Sequence, residues 1–512
     1  MSTSPDPSIS LDDLDEHFSL ARQASLTPDA DQTIQFFSGK NVPVEMHRVV
    51  TVKRLYLKDV DARRAAIESA GNNMYLLTND DVFLDMLTDS GVNSMSIVQQ
   101  AAMGAADDAY AGSATFTRLS KAVEYLLGTK YLLPAHQGRA CENILSETFV
   151  RPGSHVLTNY HFTTTRAHIT RRGGSVTSLV PPTSLDPQFD APFKGDMDVD
   201  RLATEVDRLG TQNISFVRIE AGTNLLGGQP VSLANMRAVS QFCRERGLML
   251  VMDASLLADN LYFIKTREAA ERGKTIREIA LEIGALMDVT YFSGRKLGCA
   301  RGGGIATNDV AIFDKMKPLL PFYEGFLTYG GMSVHEMEAM AVGLIETCDF
   351  HVISQTAIFV QALVQMLEAK GIPCVTPAGG LGCHIDAKRF LPNIPQGQYP
   401  AGALAVATYL VSGVRGMERG SLSEDRDANG VEHPASMELM RLAVPKRAFT
   451  LSQLEFVADR MGWLYEHRDL VGGIEFVDEP PTMRGDIGRL AAVDDWPEKL
   501  VAAFKKDMPS LL

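Results

Sequence analysis

Between about Ser96 and Thr347, short apolar or β-branched runs alternate with longer amphipathic patterns. Runs such as SHVLTN, NISFVRIEA, LMLVMDAS and DVTYFSG have the length and composition of buried strands, whereas RACENILSETFV and TIREIALEIGALM have helical periodicity. This alternation predicts a mostly parallel sheet covered by helices on both faces. Ligands of such sheets bind beyond the carboxyl ends of the strands, so the chemistry is expected there.

The segments that flank this array have a different pattern. Residues 1–40 are rich in Ser, Asp and Pro, which predicts a flexible extension. Residues 41–95 contain the helical patterns RRAAIESAG and DDVFLDMLTDSG. A single long helical pattern from SVHEMEAM to QMLEAKG leads into residues 348–512, where helices mix with short strands such as CHIDAKRF and MRLAVP. We therefore predict a large domain over 96–347 and a smaller α+β domain built from the two flanks.

Composition and charge narrow the possible functions. The chain of 512 residues is 45% hydrophobic and has a net charge of -14, without the concentrated cationic face that a nucleic-acid partner requires. We expect no apolar run to reach membrane-spanning length, the best candidate being 401–413, and the acidic N-terminus lacks a signal-peptide pattern. We expect a cytoplasmic protein with no membrane partner. The six scattered cysteines are typical of reduced packing residues.

Three polar side chains lie at or just beyond the ends of predicted strands. They are Asp253 in LMLVMDAS, Lys296 in VTYFSGRK and Asn224 in VRIEAGTN. Taken singly, such an aspartate is more often a helix cap and such a lysine more often a surface residue. Arg295 precedes Lys296, but an arginine cannot lose a proton to become a nucleophilic amine. Lys296 is therefore the cation expected to carry chemistry.

Together, these residues meet the requirements of pyridoxal 5′-phosphate (PLP). This cofactor needs a lysine amine for its Schiff base and a carboxylate beside its ring nitrogen. The loop HQGRACENIL, with Gln137, Gly138 and Arg139, is placed to hold a phosphate at a helix N-terminus, and Ser293 adds a hydroxyl. Phe162 is placed to stack on the ring. The order of these features along one βα array favours the cofactor site over the separate alternatives.

The segments LTDSGVNSMS, DDAYAGS, HQGRACEN, NYHFTTTRAH, NLLGGQPVSLANMRAV, TYGGMSVHEMEAMAVGL, GVRGMERG and MRLAVPKRAFT resemble one enzyme family. This family is the β-eliminating lyases, which include tyrosine phenol-lyase and tryptophanase, and the chain is closer to the former. The resemblance covers about residues 45–475. It implies the α/β fold of PLP-dependent transferase type I (aspartate aminotransferase-like), with a mostly parallel seven-stranded sheet in the large domain and a smaller α+β domain. It also implies a homotetramer with shared active sites.

Roles of individual residues follow from this resemblance. Lys296 matches the Schiff-base lysine, Asp253 the partner of the pyridinium, and Tyr110 the general acid that protonates the leaving ring carbon. The other residues implied to hold the cofactor are Gln137, Gly138, Arg139, Ser90, Ser293 and Arg295 near the phosphate, Phe162 on the ring, and Asn224 at the 3-oxygen.

The resemblance also implies a substrate. Arg441 matches the arginine that clamps the substrate carboxylate, and Arg419 and Thr163 match residues that select a phenol over an indole. The implied reaction cleaves tyrosine, or a substituted tyrosine, to a phenol, pyruvate and ammonium.

The chain departs from the family at three sites. A K+ site is implied at Gly91, Asp108 and Arg301, where Asp108 replaces a glutamate and Arg301 a neutral residue, so that Arg301 could supply the charge of the metal. Leu256 replaces an arginine near the cofactor's 3-oxygen, which removes a cation. The paired phenylalanines that close over the phenol in the family have no counterpart in PPTMRGDIGRL.

These departures keep other functions open. A PLP-dependent carbon-sulfur lyase or β-replacement enzyme, acting on a different amino acid, is favoured by Leu256 and by the missing phenylalanines. A tryptophanase-like indole-lyase is a further alternative. From another class, the chain could be a binding or structural protein that kept the fold and lost turnover, because a fold alone does not prove activity.

Overall fold

A computed structural model describes residues 33–427 and 429–508, in two compact units. In this part of the chain, the larger unit comprises Asn93–Pro181 and Pro192–Gln355, and the smaller unit comprises Thr33–Val92, Pro182–Ala191 and the described residues of 356–508. The extension predicted over residues 1–40 lies outside the described residues as far as residue 32. Its last part belongs to an antiparallel hairpin of Thr33–Gln35 and Asn41–Pro43.

The larger unit contains a seven-stranded sheet. In chain order its strands are β1 (Tyr131–Ala135), β2 (His155–Thr158), β3 (Ser175–Ser178), β4 (Ile214–Glu220), β5 (Leu250–Asp253), β6 (Val289–Ser293) and β7 (Gly303–Thr307). The strands are arranged in the order β1-β7-β6-β5-β4-β2-β3, and every neighbouring pair is parallel except those that involve β7. The predicted fold class, a mostly parallel seven-stranded sheet, is confirmed.

Both faces of this sheet are covered, because its strands carry apolar residues in almost every position. On β4, Val217 and Ile219 belong to one apolar core, whereas Phe216 belongs to the core on the opposite face. The helices of this unit are Ile97–Met103, Ala114–Leu127, Gly138–Phe149, Thr163–Arg171, Val199–Leu209, Leu233–Arg246, Leu257–Arg267, Ile276–Leu286, Gly294–Leu297, Val310–Met316, Leu320–Tyr323 and Val334–Glu346.

The long helical pattern predicted from SVHEMEAM to QMLEAKG is two helices, Val334–Glu346 and Phe350–Glu368. The break occurs at Thr347, whose hydroxyl donates to the carbonyl of Leu297 at 3.0 Å, and Asp349 accepts a hydrogen bond from a backbone N–H of the next helix. Capping of this kind ends one helix and starts another without interrupting the apolar periodicity.

The helix Phe350–Glu368 is long and apolar enough to cross a membrane by length and composition. The expectation that no run reaches this length was wrong, because Ser354, Gln355 and Thr356 interrupt the apolar run without adding charge. In the fold, 72% of its apolar window is buried inside the protein, as is usual for a core helix. The run at 401–413 forms the buried helix Pro400–Ser412.

The smaller unit combines helices with several short sheets. Its three-stranded antiparallel sheet has Leu439–Ala443 in the middle, between Gly382–Asp386 and Met417–Arg419. A second antiparallel pair joins Ile474–Asp478 to Arg489–Ala492. The helices of this unit are Val60–Ser69, Ala387–Phe390, Pro400–Ser412, Leu451–Glu466, Arg484–Ile487 and Trp496–Asp507. This is the predicted α+β architecture.

The helix predicted for DDVFLDMLTDSG does not form. Leu84–Asp85 is instead a short strand parallel to Val414–Arg415, and the Nε of Arg415 donates to Asp85 at 3.0 Å. This pairing joins segments more than 300 residues apart, so a local pattern could not reveal it.

Candidate active site

Two of the predicted site residues end adjacent strands of the sheet or follow directly after them. Asp253 is the last residue of β5, and Lys296 lies in the short helix Gly294–Leu297 that follows β6. In the sheet register, Asp253 is paired with Glu220 on one side and with Tyr291 on the other. The strand ends therefore bring a carboxylate and an amine to the same edge, as the sequence predicted.

The Asp253 carboxylate is buried and held by three hydrogen bonds. Its Oδ2 accepts from the Arg218 guanidinium at 2.7 Å and from the Tyr291 hydroxyl at 3.0 Å, and its Oδ1 accepts from the backbone N–H of Ser255 at 3.0 Å. Arg218 also donates to the Tyr291 hydroxyl at 3.0 Å. Asp253 therefore has a fixed orientation and a cationic partner within the sheet.

The turn that carries Lys296 is firmly anchored. The Gln99 side chain donates to the Gly298 carbonyl at 2.8 Å, and Asn93 donates to the Arg295 carbonyl at 2.9 Å. A Cβ on Gly343 would lie 1.9 Å from the Gly298 oxygen, so only glycine permits this approach of the helix Val334–Glu346. The half-buried Lys296 Nζ lies 5.8 Å from the centre of the Phe162 ring.

Two helices begin at the same edge without a side-chain cap. Gln137 precedes Gly138–Phe149 and Phe162 precedes Thr163–Arg171, and neither side chain accepts a hydrogen bond from its helix. Gly138 lies against Ser293, since a Cβ built on Gly138 would be 3.1 Å from the Ser293 Cβ. The first amides of such helices, backed by the helix dipole, attract an anion. Arg139 is exposed beside them.

This donor set fits PLP. Lys296 supplies the amine, Asp253 the carboxylate for the ring nitrogen, Phe162 an aromatic face, and the uncapped helix at Gly138 a cradle for the phosphate. The Thr163 hydroxyl oxygen adds a buried polar atom that has no hydrogen-bond partner among the described residues. Each of these groups belongs to the larger unit.

Other predicted residues of the larger unit have varied positions. Asn224 is buried, and its backbone N–H donates to Glu220 at 3.1 Å. Tyr110 is 69% exposed and stacks on Phe326 with ring centres 5.2 Å apart. Arg295 is half-buried, and burial, followed by the nearby charge of Arg301, lowers its pKa.

The predicted cation-site residues are solvent-exposed. Asp108 and Arg301 belong to the larger unit, and the Arg301 backbone N–H donates to Glu336 at 2.9 Å. Gly91 belongs to the smaller unit, where its φ is 91°. Within residues 33–427 and 429–508, no group of three or more His, Cys, Asp or Glu side chains is arranged to hold a metal ion. The K+ site stays a prediction.

In the smaller unit, the two predicted substrate arginines occupy neighbouring strands. Arg441 is on the middle strand of the three-stranded sheet, between His384 and Met417, and Arg419 ends the strand Met417–Arg419. Burial, and then the charge of Arg419, lowers the Arg441 pKa to about 9; burial, and then Arg441, lowers the His384 pKa to about 3. The lowered pKa values show that positive charge is unfavourable in this region, and a bound anion would offset it. Ser90 is half-buried in the same unit.

A pair of buried carboxyl groups lies next to Arg419. A Cβ on Gly420 would be 2.2 Å from the Glu438 Oε2 and 3.0 Å from the Glu418 Oε1, so the two oxygens converge on one point. Burial, and then the proximity of Glu438, raises the Glu418 pKa to about 8, and burial also raises the Glu438 pKa. Such a pair holds a proton at neutral pH.

We expect Glu418→Gln to change the pH dependence of stability. Glu418 keeps its proton in the folded state up to about pH 8 but ionises from about pH 4.5 when unfolded, so its contribution to the free energy of unfolding declines as pH rises between these values. Relative to the parent, the variant should therefore gain about 3 to 5 kcal/mol from pH 4.5 to 8. Urea unfolding across this range measures the difference. The exposed Glu475→Gln is the control, and a Glu418→Gln curve parallel to it would contradict the expectation.

Sequence reasoning missed the charged groups around Asp253. Arg218 and Glu220 on β4, Tyr291 on β6 and Glu142 on the helix Gly138–Phe149 are all buried there. Burial, and then Asp253, raises the Glu142 pKa, and the Thr164 and Thr165 hydroxyls both donate to this carboxyl group. The signal was present in FVRIEA, where two charged residues interrupt a strand expected to be buried on both faces.

Comparisons with known proteins identify the family of this chain. The sequence profile of a family described as beta-eliminating lyase matches residues 85–460. The chain is 40% identical over 447 residues to tyrosine phenol-lyase of Pasteurella multocida (strain Pm70), covering 87% of this chain and 98% of that protein. It is 39% identical to tyrosine phenol-lyase of Fusobacterium nucleatum subsp. nucleatum, covering 87% and 97%. The solved structure of Bna3p from Saccharomyces cerevisiae superposes with a TM-score of 0.58 at 16% identity, covering 80% and 97%.

The fold of the larger unit and the sequence relatives together define the class of the protein as a PLP-dependent enzyme with the type I transferase fold. The similarity to solved structures supports the fold, and the sequence similarity identifies the family. Within this class, the chain belongs to the β-eliminating lyase family.

Proposed function

We propose that this enzyme cleaves the side chain of tyrosine, or of a substituted tyrosine, and releases a phenol, pyruvate and ammonium. The observation that carries the proposal is the placement of Lys296 directly after β6, next to the strand that ends in Asp253. The relatives named tyrosine phenol-lyase support the choice of substrate, because the chain covers nearly their whole length.

The described side chains divide the work of this reaction. Bound PLP supplies an electron-withdrawing ring that stabilises negative charge at the substrate α-carbon. The Lys296 Nζ takes the α-proton, since an amine at the end of a rigid turn is a suitable general base. Asp253 holds the ring nitrogen, and Arg441 binds the substrate carboxylate through paired, charge-assisted hydrogen bonds. Tyr110 donates a proton from its hydroxyl to the ring carbon of the departing phenol.

The proposal also covers the oligomeric state, the cellular location and the cation requirement of the enzyme. We propose a cytoplasmic homotetramer with shared active sites and a K+ requirement. The exposed Tyr110, which contacts the half-buried rings of Phe326 and Tyr329, supports a shared site, because a general acid works best where water is excluded. Sedimentation of the purified protein and assays with K+ or Na+ as the only monovalent cation test these points.

A substrate screen tests the reaction itself. Tyrosine should yield phenol and pyruvate in equal amounts, measured by chromatography and by a coupled lactate dehydrogenase assay. Pyruvate from S-alkyl cysteines without phenol from tyrosine would support the alternative of a carbon-sulfur lyase, which the apolar Leu256 favours. Indole from tryptophan in place of phenol from tyrosine would support the tryptophanase-like alternative.

We expect Arg419→Ala to impair only phenolic substrates. If Arg419 contacts the phenolic oxygen, its loss should lower kcat/KM for tyrosine about 10- to 100-fold, because a hydrogen bond to a charged group is removed. Cleavage of S-methyl cysteine, which has no phenol, should change less than about threefold. Equal losses on both substrates would show that Arg419 supports the fold of the site rather than substrate choice.

A further inference from the structure

Four ionisable groups lie in one layer within the central sheet. Glu220, Asp253 and Tyr291 are side by side on β4, β5 and β6, and Arg218 is on the same face of β4, two residues before Glu220. Arg218 is 1% exposed and Glu220 5%. A buried ion pair is rarely more stabilising than apolar residues of the same volume. Stability alone therefore does not account for charges at these positions.

Arg218 connects this layer through all three nitrogens of its guanidinium. It donates to Asp253 at 2.7 Å, to the Tyr291 hydroxyl at 3.0 Å and to the Glu220 Oε2 at 3.4 Å. The other oxygen of Glu220 accepts the backbone N–H of Asn224 at 3.1 Å. Glu220 thus links Asp253, the predicted partner of the cofactor's ring nitrogen, to Asn224, the predicted partner of its 3-oxygen.

We propose that Arg218 and Glu220 are positioning residues, which hold Asp253 and Asn224 for the cofactor ring, and that the charge on Glu220 sets how strongly Asp253 attracts the ring nitrogen. This inference rests on the proposed function. With Glu220 ionised, the group of Glu220, Arg218 and Asp253 has a net charge of -1 and favours a protonated ring nitrogen. With Glu220 protonated, the net charge of the three groups is zero. The Arg218 cation then offsets the charge of Asp253 alone, so Asp253 attracts the ring nitrogen less strongly.

The surroundings allow Glu220 to change charge near neutral pH. Burial raises its pKa to about 7, against the attraction of Arg218, while Asp253 raises it further and Lys296 lowers it. From the helix that covers this face, Glu142 and the Cys141 thiol also face the cluster, and burial raises the pKa of both. Burial, the largest effect, also raises the Tyr291 pKa, which keeps that hydroxyl a hydrogen-bond donor.

The test compares cofactor binding by the full-length parent, Glu220→Gln and Asp196→Asn. Asp196 is the matched control, because burial raises its pKa to about 7 as well, but its carboxylate accepts from Ser232. PLP is titrated into each apoprotein at pH 6 and pH 8.5, and its visible absorption band is followed across the same range. The ratio of the Glu220→Gln to the parent Kd should rise about 3- to 10-fold from pH 6 to 8.5, whereas Asp196→Asn should follow the parent.

A second variant tests the positioning role. Arg218→Lys keeps the charge but cannot reach Asp253, Tyr291 and Glu220 at once, so it should weaken PLP binding about 3- to 10-fold at both pH values. Parent-like binding by Arg218→Lys, or a parent-like pH dependence in Glu220→Gln, would overturn the inference and leave the proposed function intact. A parent protein that takes up no PLP would overturn both.

Discussion

Replacing Lys296 with alanine is expected to reduce pyruvate release by at least roughly 10³-fold, because the variant loses both the attachment point of the cofactor and the base for the α-proton. The residue is half-buried in a turn that is held by Gln99 and by the close approach of Gly343. Alanine fits this turn without new contacts, so the loss should be chemical rather than structural. The coupled pyruvate assay measures the rate, and borohydride reduction followed by peptide mapping shows whether PLP is fixed at position 296.

The neighbouring cation provides the matched control. Arg295→Lys also alters a cation in this turn, but it leaves the Lys296 amine in place, and the contact of Asn93 is with the backbone carbonyl of residue 295. This variant should keep turnover within about tenfold of the parent at saturating PLP. If Lys296→Ala retained comparable turnover while Arg295→Lys lost it, the assignment of the reactive amine would be wrong.

The second large effect is expected for Arg441→Met. Loss of a charge-assisted carboxylate contact of about 1.5 to 3 kcal/mol should lower kcat/KM for tyrosine about 10- to 150-fold, mainly through KM. The fold should tolerate the change, because burial and Arg419 disfavour the charged guanidinium, as its lowered pKa of about 9 indicates. Steady-state kinetics and urea unfolding of the variant measure the two quantities.

A substrate that lacks the carboxylate separates binding from structure. The parent should prefer tyrosine strongly over tyrosine amide, and in Arg441→Met this preference should disappear because neither substrate meets a cation. If the variant lost activity on both substrates by the same factor and kept the preference, Arg441 would be a structural residue of the sheet that pairs it with His384.

The sequence allowed the sheet and its reactive edge to be predicted for one physical reason. The carboxyl ends of parallel strands meet at one edge, so Asp253 and Lys296 could be brought together without knowledge of any contact between them. Phe162 and Gln137 likewise precede helices that start at that edge, and the helix starts follow from the βα alternation. The observed bounds of β5 and β6 place the aspartate and the lysine as this rule requires.

Features that depend on distant partners could not be predicted in this way. Leu84–Asp85 is a strand because Val414–Arg415 pairs with it, and the roles of Arg218 and Glu220 become visible only when β5 and β6 lie beside β4. A helical period or an isolated charge has the same appearance in either setting. The proposed shared active site and K+ requirement would depend on other subunits and ions, and the side-chain pattern of one chain does not show them.

The contact between Gly343 and the Gly298 carbonyl limits which positions of the enzyme tolerate substitution, in evolution or in the laboratory. A side chain at Gly343 would displace the Gly298 backbone, two residues after Lys296, whose amine is the proposed reactive group. Saturation mutagenesis should therefore find this helix position among the least permissive of the protein, and enzyme engineers seeking new leaving groups would do better to diversify the strand that ends in Arg419.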